Sequence, residues 1–205
     1  MIKKLENLAR VEKLFVLFGE EVIMSRIGEK PVLIPSEVNV SLVGANVLKV
    51  KGPKGEILRE FHPDIHIDIK NDNILIERTS DRPFYRAIHG TTRALINNMV
   101  VGVTKGFTKK LVINEKTYKA NVSKNKIELY LGYSHPVILD IPKELSVSVE
   151  SQTIIISGID KELVGAFAQK VRHLRKVDPY KVKGIIYEGE RIKRKAGKTV
   201  ATGTK

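Results

Sequence analysis

The sequence predicts an α+β fold of two similar domains from an internal duplication, each an antiparallel sheet packed with one main helix. Three observations lead there. The apolar residues, 42% of the chain, are mostly Val, Ile and Leu with only 6% aromatic, a mix that suits sheets packed under a few helices. Short alternating segments are followed by one long segment of helical period. That order then occurs a second time, about 79 residues further on.

The first 23 residues stand apart. They show no strand alternation and no turn signal before Gly19, and they end just ahead of an internal Met24. Gly19-Glu20-Glu21-Val22 is what a purine-rich stretch resembling a bacterial ribosome-binding site would encode upstream of a start. Residues 1–23 are therefore expected to be a non-native or upstream extension, with Met24 the biological start; a short amphipathic helix using Leu5 and Leu8 is the alternative.

Strands begin at Val38, Val40 and Leu42, which alternate with polar residues. They continue at Val47 to Lys51, a Gly52-Pro53-Lys54-Gly55 turn, and Ile57 to Phe61. Ile65 to Ile69 and Ile74 to Glu77 follow, joined at Asn71-Asp72-Asn73. A helix is expected from near Asp81, with Pro83 in its first turn and Phe84, Ile88, Leu95 and Met99 at helical spacing, ending at Gly102. Gly90, beside Thr91 and Thr92, reads as a close packing point in that helix.

The second half repeats the pattern with strands at Leu111 to Ile113, Tyr118 to Val122, Ile127 to Leu131 and Val137 to Ile141, a hairpin around Glu150-Ser151-Gln152, and a helix from near Asp160. His62-Pro63 falls on Ile141-Pro142, and Asp81 on Asp160. A competing register sets Ile34-Pro35 on Ile141-Pro142, but it leaves the first helix without a partner. The expected organisation is an N-terminal α+β domain at 24–104, a C-terminal one at 105–185 carrying the polyanion contacts, and a basic tail at 186–205, with the joint at Thr104-Lys105-Gly106.

Charge defines the partner class. Thirty-six Lys and Arg against 23 Asp and Glu leave a net +13, which points to a polyanion, nucleic acid before an acidic membrane. Zero cysteines exclude a disulfide framework and a thiolate metal site, and fit a reducing cytoplasm. No apolar run reaches the roughly 18 residues of a membrane span. Leu14-Phe15-Val16-Leu17-Phe18 is too short, and lacks a following cleavage site, for a signal peptide.

The positive charge is concentrated at one end. From Val171 onward there are 11 Lys and Arg against 3 acids, a net +8 of the total +13. On the second helix Leu163, Phe167, Val171 and Leu174 form the apolar stripe, with Arg172 and Lys176 roughly opposite and Arg175 flanking them. Beyond it, Tyr180 and Tyr187 place flat faces beside cations, Pro179 fixes a turn, and Gly184 and Gly189 permit close backbone approach or positive φ. The expected polyanion-contact set is Arg172, Arg175, Lys176, Tyr180, Lys181, Lys183, Gly184, Arg191, Lys193, Arg194, Lys195 and Lys198. A solvated, disordered basic tail is the bland reading of the same charge run, and the interleaved Gly, Pro, Tyr and Ile argue against it.

Chemistry-bearing motifs fail on their context. Gly197-Lys198-Thr199 resembles the end of a phosphate-binding loop, but Ile192 stands where its first glycine is needed. Gly132-Tyr133-Ser134-His135-Pro136 resembles a nucleophile elbow, yet its fifth residue is Pro and a strand follows. His62 and His66, near Asp64 and Asp68, lack a closed metal-ligand set. No enzyme activity, cofactor or metal is expected.

Four separated segments carry a family resemblance: Asp178 to Glu190, Met24-Ser25-Arg26-Ile27-Gly28 with Lys30-Pro31, Gly106-Phe107-Thr108-Lys109-Lys110-Leu111, and Gly132-Tyr133-Ser134-His135-Pro136. Together they resemble the bacterial-type ribosomal large-subunit protein six family over about residues 24 to 198. One departure stands at Asn114-Glu115-Lys116-Thr117-Tyr118, where a glycine-containing turn is expected. The resemblance implies two related α+β domains and a structural, non-enzymatic role in cytoplasmic ribosomes at one copy per large subunit. It further implies that the C-terminal domain docks on large-subunit ribosomal RNA near the factor-binding region and the sarcin-ricin loop. Neighbouring ribosomal proteins and translation factors are the implied further partners, with no membrane involved.

Overall fold

The structure, a computed structural model, describes residues 28–44, 46–70 and 72–197; the expectations for residues 1–23 and Met24 lie outside the described residues. The first unit runs β1 (Val32–Leu33), β2 (Asn39–Leu42), β3 (Val47–Gly52), β4 (Gly55–Glu60), β5 (Ile65–Lys70), β6 (Asn73–Arg78) and α1 (Pro83–Thr104). The second runs β7 (Phe107–Ile113), β8 (Lys119–Ser123), β9 (Lys126–Tyr130), β10 (Val137–Asp140), β11 (Leu145–Glu150), β12 (Thr153–Gly158), α2 (Lys161–Leu174) and β13 (Ile185–Tyr187). The α+β duplication holds. Each antiparallel sheet is divided into two: β1-β6-β5 with β2-β3-β4, then β11-β12-β7-β13 with β10-β9-β8.

Period-two alternation puts one side of each strand into a core. Leu48 and Val50 of β3 are fully buried, and Ile127 and Leu129 of β9 take the matching places. Ile74 and Ile76 of β6 correspond in the same way to Ile154 and Ile156 of β12. Each fully buried Leu or Ile stabilises by about 1.5–3 kcal/mol, so these rows fix the register of the sheets.

The duplication extends to single hydrogen bonds. The Ile65 amide donates to the His62 carbonyl (3.1 Å) as the Leu145 amide does to Pro142 (3.0 Å), and Phe61 donates to Asn46 as Ile141 does to Asn125. The offset is therefore 79 residues between β3 and β9, and 80 from Phe61 through β6. At the helix N-caps, Arg82 and Asp160, the offset is 78, because two more residues separate β6 from α1 than β12 from α2.

The first helix starts near Asp81 as expected: the Asp81 carboxylate pairs with Arg78 at 2.7 Å, and Pro83, which has no N–H to leave unsatisfied, opens the helix after an extended Arg82. Two other expectations for it need correction. Gly102 does not end it. The helix runs to Thr104 and stops where Gly106 takes φ +74, with the Lys105 and Gly106 amides both donating to the Val101 carbonyl. Gly90 is not a packing point, since a Cβ there would meet nothing within 4 Å.

The close approaches lie at other glycines. A Cβ at Gly28 would come within 2.5 Å of the His89 ring, and one at Gly102 within 2.2 Å of the Ile159 carbonyl oxygen. The buried stripe of α1 is His89, Thr92, Ile96, Met99, Val100 and Val103. Phe84 stands outside it, 59% exposed, edge-on to His62 and Tyr85. His89 is fixed on both nitrogens: Nδ1 lies 2.9 Å from Arg78, which can only donate, so Nε2 carries the proton given to the Ile76 carbonyl at 2.8 Å.

Two strands had no sequence signal. β1 is two residues long and pairs with β6; β13 comes from the segment that reads as loop and tail, and pairs with β7 across the 185/186 boundary.

Contacts join the units at the end of α1. Ile159 packs against the first core, and a Cβ at Gly55 would meet its Cδ1 at 2.6 Å. Lys54 donates its amide to the Val103 carbonyl and its ammonium to the Lys105 carbonyl.

Candidate nucleic-acid interface

Helix α2 sets the position of the basic terminus. Asp160 caps it by accepting from the Glu162 amide at 2.8 Å, Glu162 supplies an acid in its first turn, and Arg172 and His173 lie in its last. Val164, Phe167, Ala168 and Val171 anchor it in the second core. The stripe expected from the sequence shares Phe167 and Val171 with these and has Leu163 and Leu174 at its margins.

After α2 the chain makes a closed loop. The Asp178 amide donates to the Lys183 carbonyl (3.0 Å), the Val182 amide to the Asp178 carbonyl (2.8 Å), and the Tyr180 amide to the Asp178 carboxylate (3.0 Å). Val182 is held at φ 56, which a β-branched residue adopts only when its surroundings force it. The forcing groups are visible: its side chain is buried, and its carbonyl accepts from the Asn114 side-chain amide at 2.5 Å. Gly184 sits at φ +145 where a Cβ would lie 2.9 Å from the Val177 Cα. The close approach read from that glycine is made, and it is made by the chain to itself.

The segment that departs from the family pattern proves to be the clasp for this loop. Asn114 holds both Val182 and, through its amide, the Gly184 carbonyl (2.9 Å). Glu115 meets the Lys183 ammonium at 2.5 Å. That contact holds the Glu115 carboxyl below its ordinary range and raises the Lys183 ammonium above its own.

The expected contact residues divide into two groups. Arg172, Arg175 and Lys183 are engaged within the protein. Arg172 bonds Glu190 at 2.5 Å and lies 5.4 Å from the centre of the Tyr187 ring. Arg175 lies over Tyr133 (5.2 Å) and Tyr118 (5.8 Å) and donates from Nε to the Tyr118 hydroxyl. The Tyr133 and Tyr118 hydroxyls, in that order, hold its guanidinium even more firmly protonated.

Lys176, Lys181, Arg191, Lys193, Arg194 and Lys195 make up the second group. They face solvent and have no ion-pair partner among the described residues. Tyr180 stands 56% exposed beside Lys181. The tail is not loose over this stretch, since the Lys195 amide donates to the Pro179 carbonyl at 3.1 Å and draws residues 191–195 back onto the loop. Lys198 lies outside the described residues.

Sequence reasoning missed Tyr118, Tyr133, Asn114, Glu115 and Glu190. All five lie in segments singled out above, 114–118, 132–136 and 178–190, but nothing in those segments marked these side chains as partners of the basic terminus; the Tyr133 hydroxyl donates to the Leu174 carbonyl at 2.9 Å and closes the end of α2. An open cleft lined by Tyr118, Tyr133, His173, Arg175, Lys176 and Lys183 lies beside it. His62 lies 3.5 Å from Asp64, and no group of three metal-capable side chains occurs among the described residues. No helix among them is long and apolar enough to cross a membrane.

A duplicated α+β protein with one strongly cationic, pre-shaped face on its second unit is the class these features define. The chain belongs to the ribosomal protein L6 family, whose model matches residues 34–106 and again 116–188, one match per unit. It is 52% identical over 177 residues to the large ribosomal subunit protein uL6 of Persephonella marina, covering 86% of this chain and 99% of that relative. The uL6 of Shouchella clausii gives the same identity and coverage, and that of Carboxydothermus hydrogenoformans is 51% identical over 183 residues, covering 89% of this chain and all of the relative. The family is one of structural ribosomal proteins, and the chain is not an enzyme.

Proposed function

We propose that this chain is a structural component of the large ribosomal subunit in the cytoplasm, where its second unit grips large-subunit ribosomal RNA. The family membership supports the assembly. The face at Lys176, Lys181, Arg191, Lys193, Arg194 and Lys195 supports the grip: six cations turned to solvent from a loop and tail already held in shape. Helical RNA is recognised mainly through its backbone and shape, which is the demand such a face meets. In this reading the site supports the translation-factor-binding region near the sarcin-ricin loop. The less basic first unit faces neighbouring proteins or factors, and one copy serves each subunit.

Gradient sedimentation with quantitation tests this. Native protein should travel with the large subunit at one copy per particle, and a Lys181→Glu/Arg194→Glu variant should incorporate poorly while keeping its fold. Native protein found mostly outside subunits would instead mark a free-standing RNA-binding regulator. Normal assembly of the variant would remove the contact face from this region.

A further inference from the structure

We infer that Glu190, an acid inside the basic terminus, promotes polyanion binding as a positioning residue, acting through Arg172 to hold the cationic tail in its binding shape. The inference rests on the reading of this face as an RNA grip.

Charge alone argues the opposite. A carboxylate one residue from Arg191 and three from Lys193 lowers the local positive potential, so its removal should strengthen attraction to phosphate. The geometry outweighs that. Glu190 Oε1 takes Arg172 Nη2 at 2.5 Å, and Oε2 accepts the Tyr187 amide at 3.0 Å. The Glu190 amide in turn donates to the Tyr187 carbonyl at 3.1 Å, closing a tight turn through Gly189 at φ +78. The Tyr187 hydroxyl donates to Gln169 Oε1 at 3.1 Å, so the turn is fastened to α2 at two successive helical turns, Gln169 and Arg172.

Arg172 is poorly placed to serve as a phosphate ligand. Its Nε is buried without a hydrogen-bond partner, and its Nη2 is occupied by the carboxylate. Its charge holds the tail. Between Glu190 and the second anchor, where the Lys195 amide meets the Pro179 carbonyl, lie only residues 191–194, and Arg191, Lys193 and Arg194 are three of the four. A strap of four residues fixed at both ends presents these cations with little freedom. Fixed at one end, it must be ordered by the ligand, at a cost in affinity.

The test is the sign of an effect. Full-length wild type and Glu190→Gln are titrated against purified large-subunit ribosomal RNA over a range of salt. We expect Glu190→Gln to bind roughly two- to tenfold more weakly at each salt concentration, the cost of re-immobilising about one long side chain. The slope of log affinity against log salt should stay unchanged, because no phosphate contact is lost. The double variant Arg172→Gln/Glu190→Gln has the wild-type net charge and should bind no more weakly than the weaker of its two single variants, because both changes loosen one anchor; thermal stability measured alongside separates positioning from a general failure to fold. Equal or tighter binding by Glu190→Gln overturns the inference and leaves the RNA grip standing, as do additive losses in the double variant at wild-type thermal stability. Failure of the wild type to bind at low salt overturns both.

Discussion

Arg59 of the first unit spans to Glu162 of the second, placing Nη2 3.0 Å and 2.9 Å from the two carboxylate oxygens. Nearby, the Gly102 backbone meets the Ile159 carbonyl so closely that a Cβ would lie 2.2 Å from the oxygen. Both contacts join the units, and their strengths differ in kind. The ion pair is partly solvated, with 30% and 55% of the two side chains exposed, and pairs of that sort contribute about 0.2–1 kcal/mol. Arg59→Ala should therefore lower thermal stability slightly. Gly102→Ala forces backbone apart within a packed seam and should cost about 1–3 kcal/mol or more. Calorimetry on the two variants checks the order; a larger loss from Arg59→Ala would mean that the ion pair, and not the packing, joins the units.

Gly184→Ala should loosen the loop that follows α2. The residue sits at φ +145, and the new methyl would press on the Val177 Cα and the Lys176 and Arg175 carbonyls. A loss of about 1–3 kcal/mol follows from backbone strain alone. Hydrogen exchange should rise first at Asp178, Val182 and Ile185, whose amides close the loop. Unchanged exchange there would mean that the crossing does not require glycine.

The loop and tail should resist mild acid. Glu115 is lowered chiefly by its hydrogen bond from Lys183, and Glu190 chiefly by the Tyr187 amide and then by Arg172. A carboxyl lowered in the folded state contributes stability that is full above the unfolded value and is lost as pH falls through the folded one. The amide chemical shifts of Gly184 and Tyr187 should thus stay constant from neutral pH down to the ordinary glutamate range of about 4.3 and move only below it. Lys183, raised by Glu115, adds a contribution lost only as pH rises through its folded value, beyond the ordinary lysine range. Loosening between pH 7 and pH 5 would contradict these pairings.

What was legible in the sequence follows from where the controlling forces are local. Alternation exposed β3, β5, β6 and β9, because their buried residues recur every second position and fill a core face. The doubled pattern revealed the duplication for the same reason. β1 and β13 were hidden because a strand of two or three residues has no period to detect and exists by pairing with a distant partner. The stop assigned to Gly102 failed because glycine serves two ends: Gly106 supplies the positive φ that ends α1, while Gly102 admits Ile159. In the candidate interface, composition places the cations at one end of the chain but does not sort them into solvent-facing and internally paired. Whether an arginine faces solvent or a carboxylate 18 residues away, as Arg172 faces Glu190, depends on the turn through Gly189, which only the folded chain sets.

The most direct test is the salt dependence of binding between the full chain and large-subunit ribosomal RNA, for wild type and for the variant Lys176→Gln/Lys181→Gln/Lys193→Gln. If about six phosphates are neutralised, log affinity of the wild type should fall with log salt at a slope of roughly −5. Loss of three contacts should make the slope shallower by about 2 to 3, leaving thermal stability nearly unchanged. A variant with the wild-type slope, or a wild type whose binding ignores salt, would contradict the assignment of these solvent-facing lysines as the groups that hold the RNA.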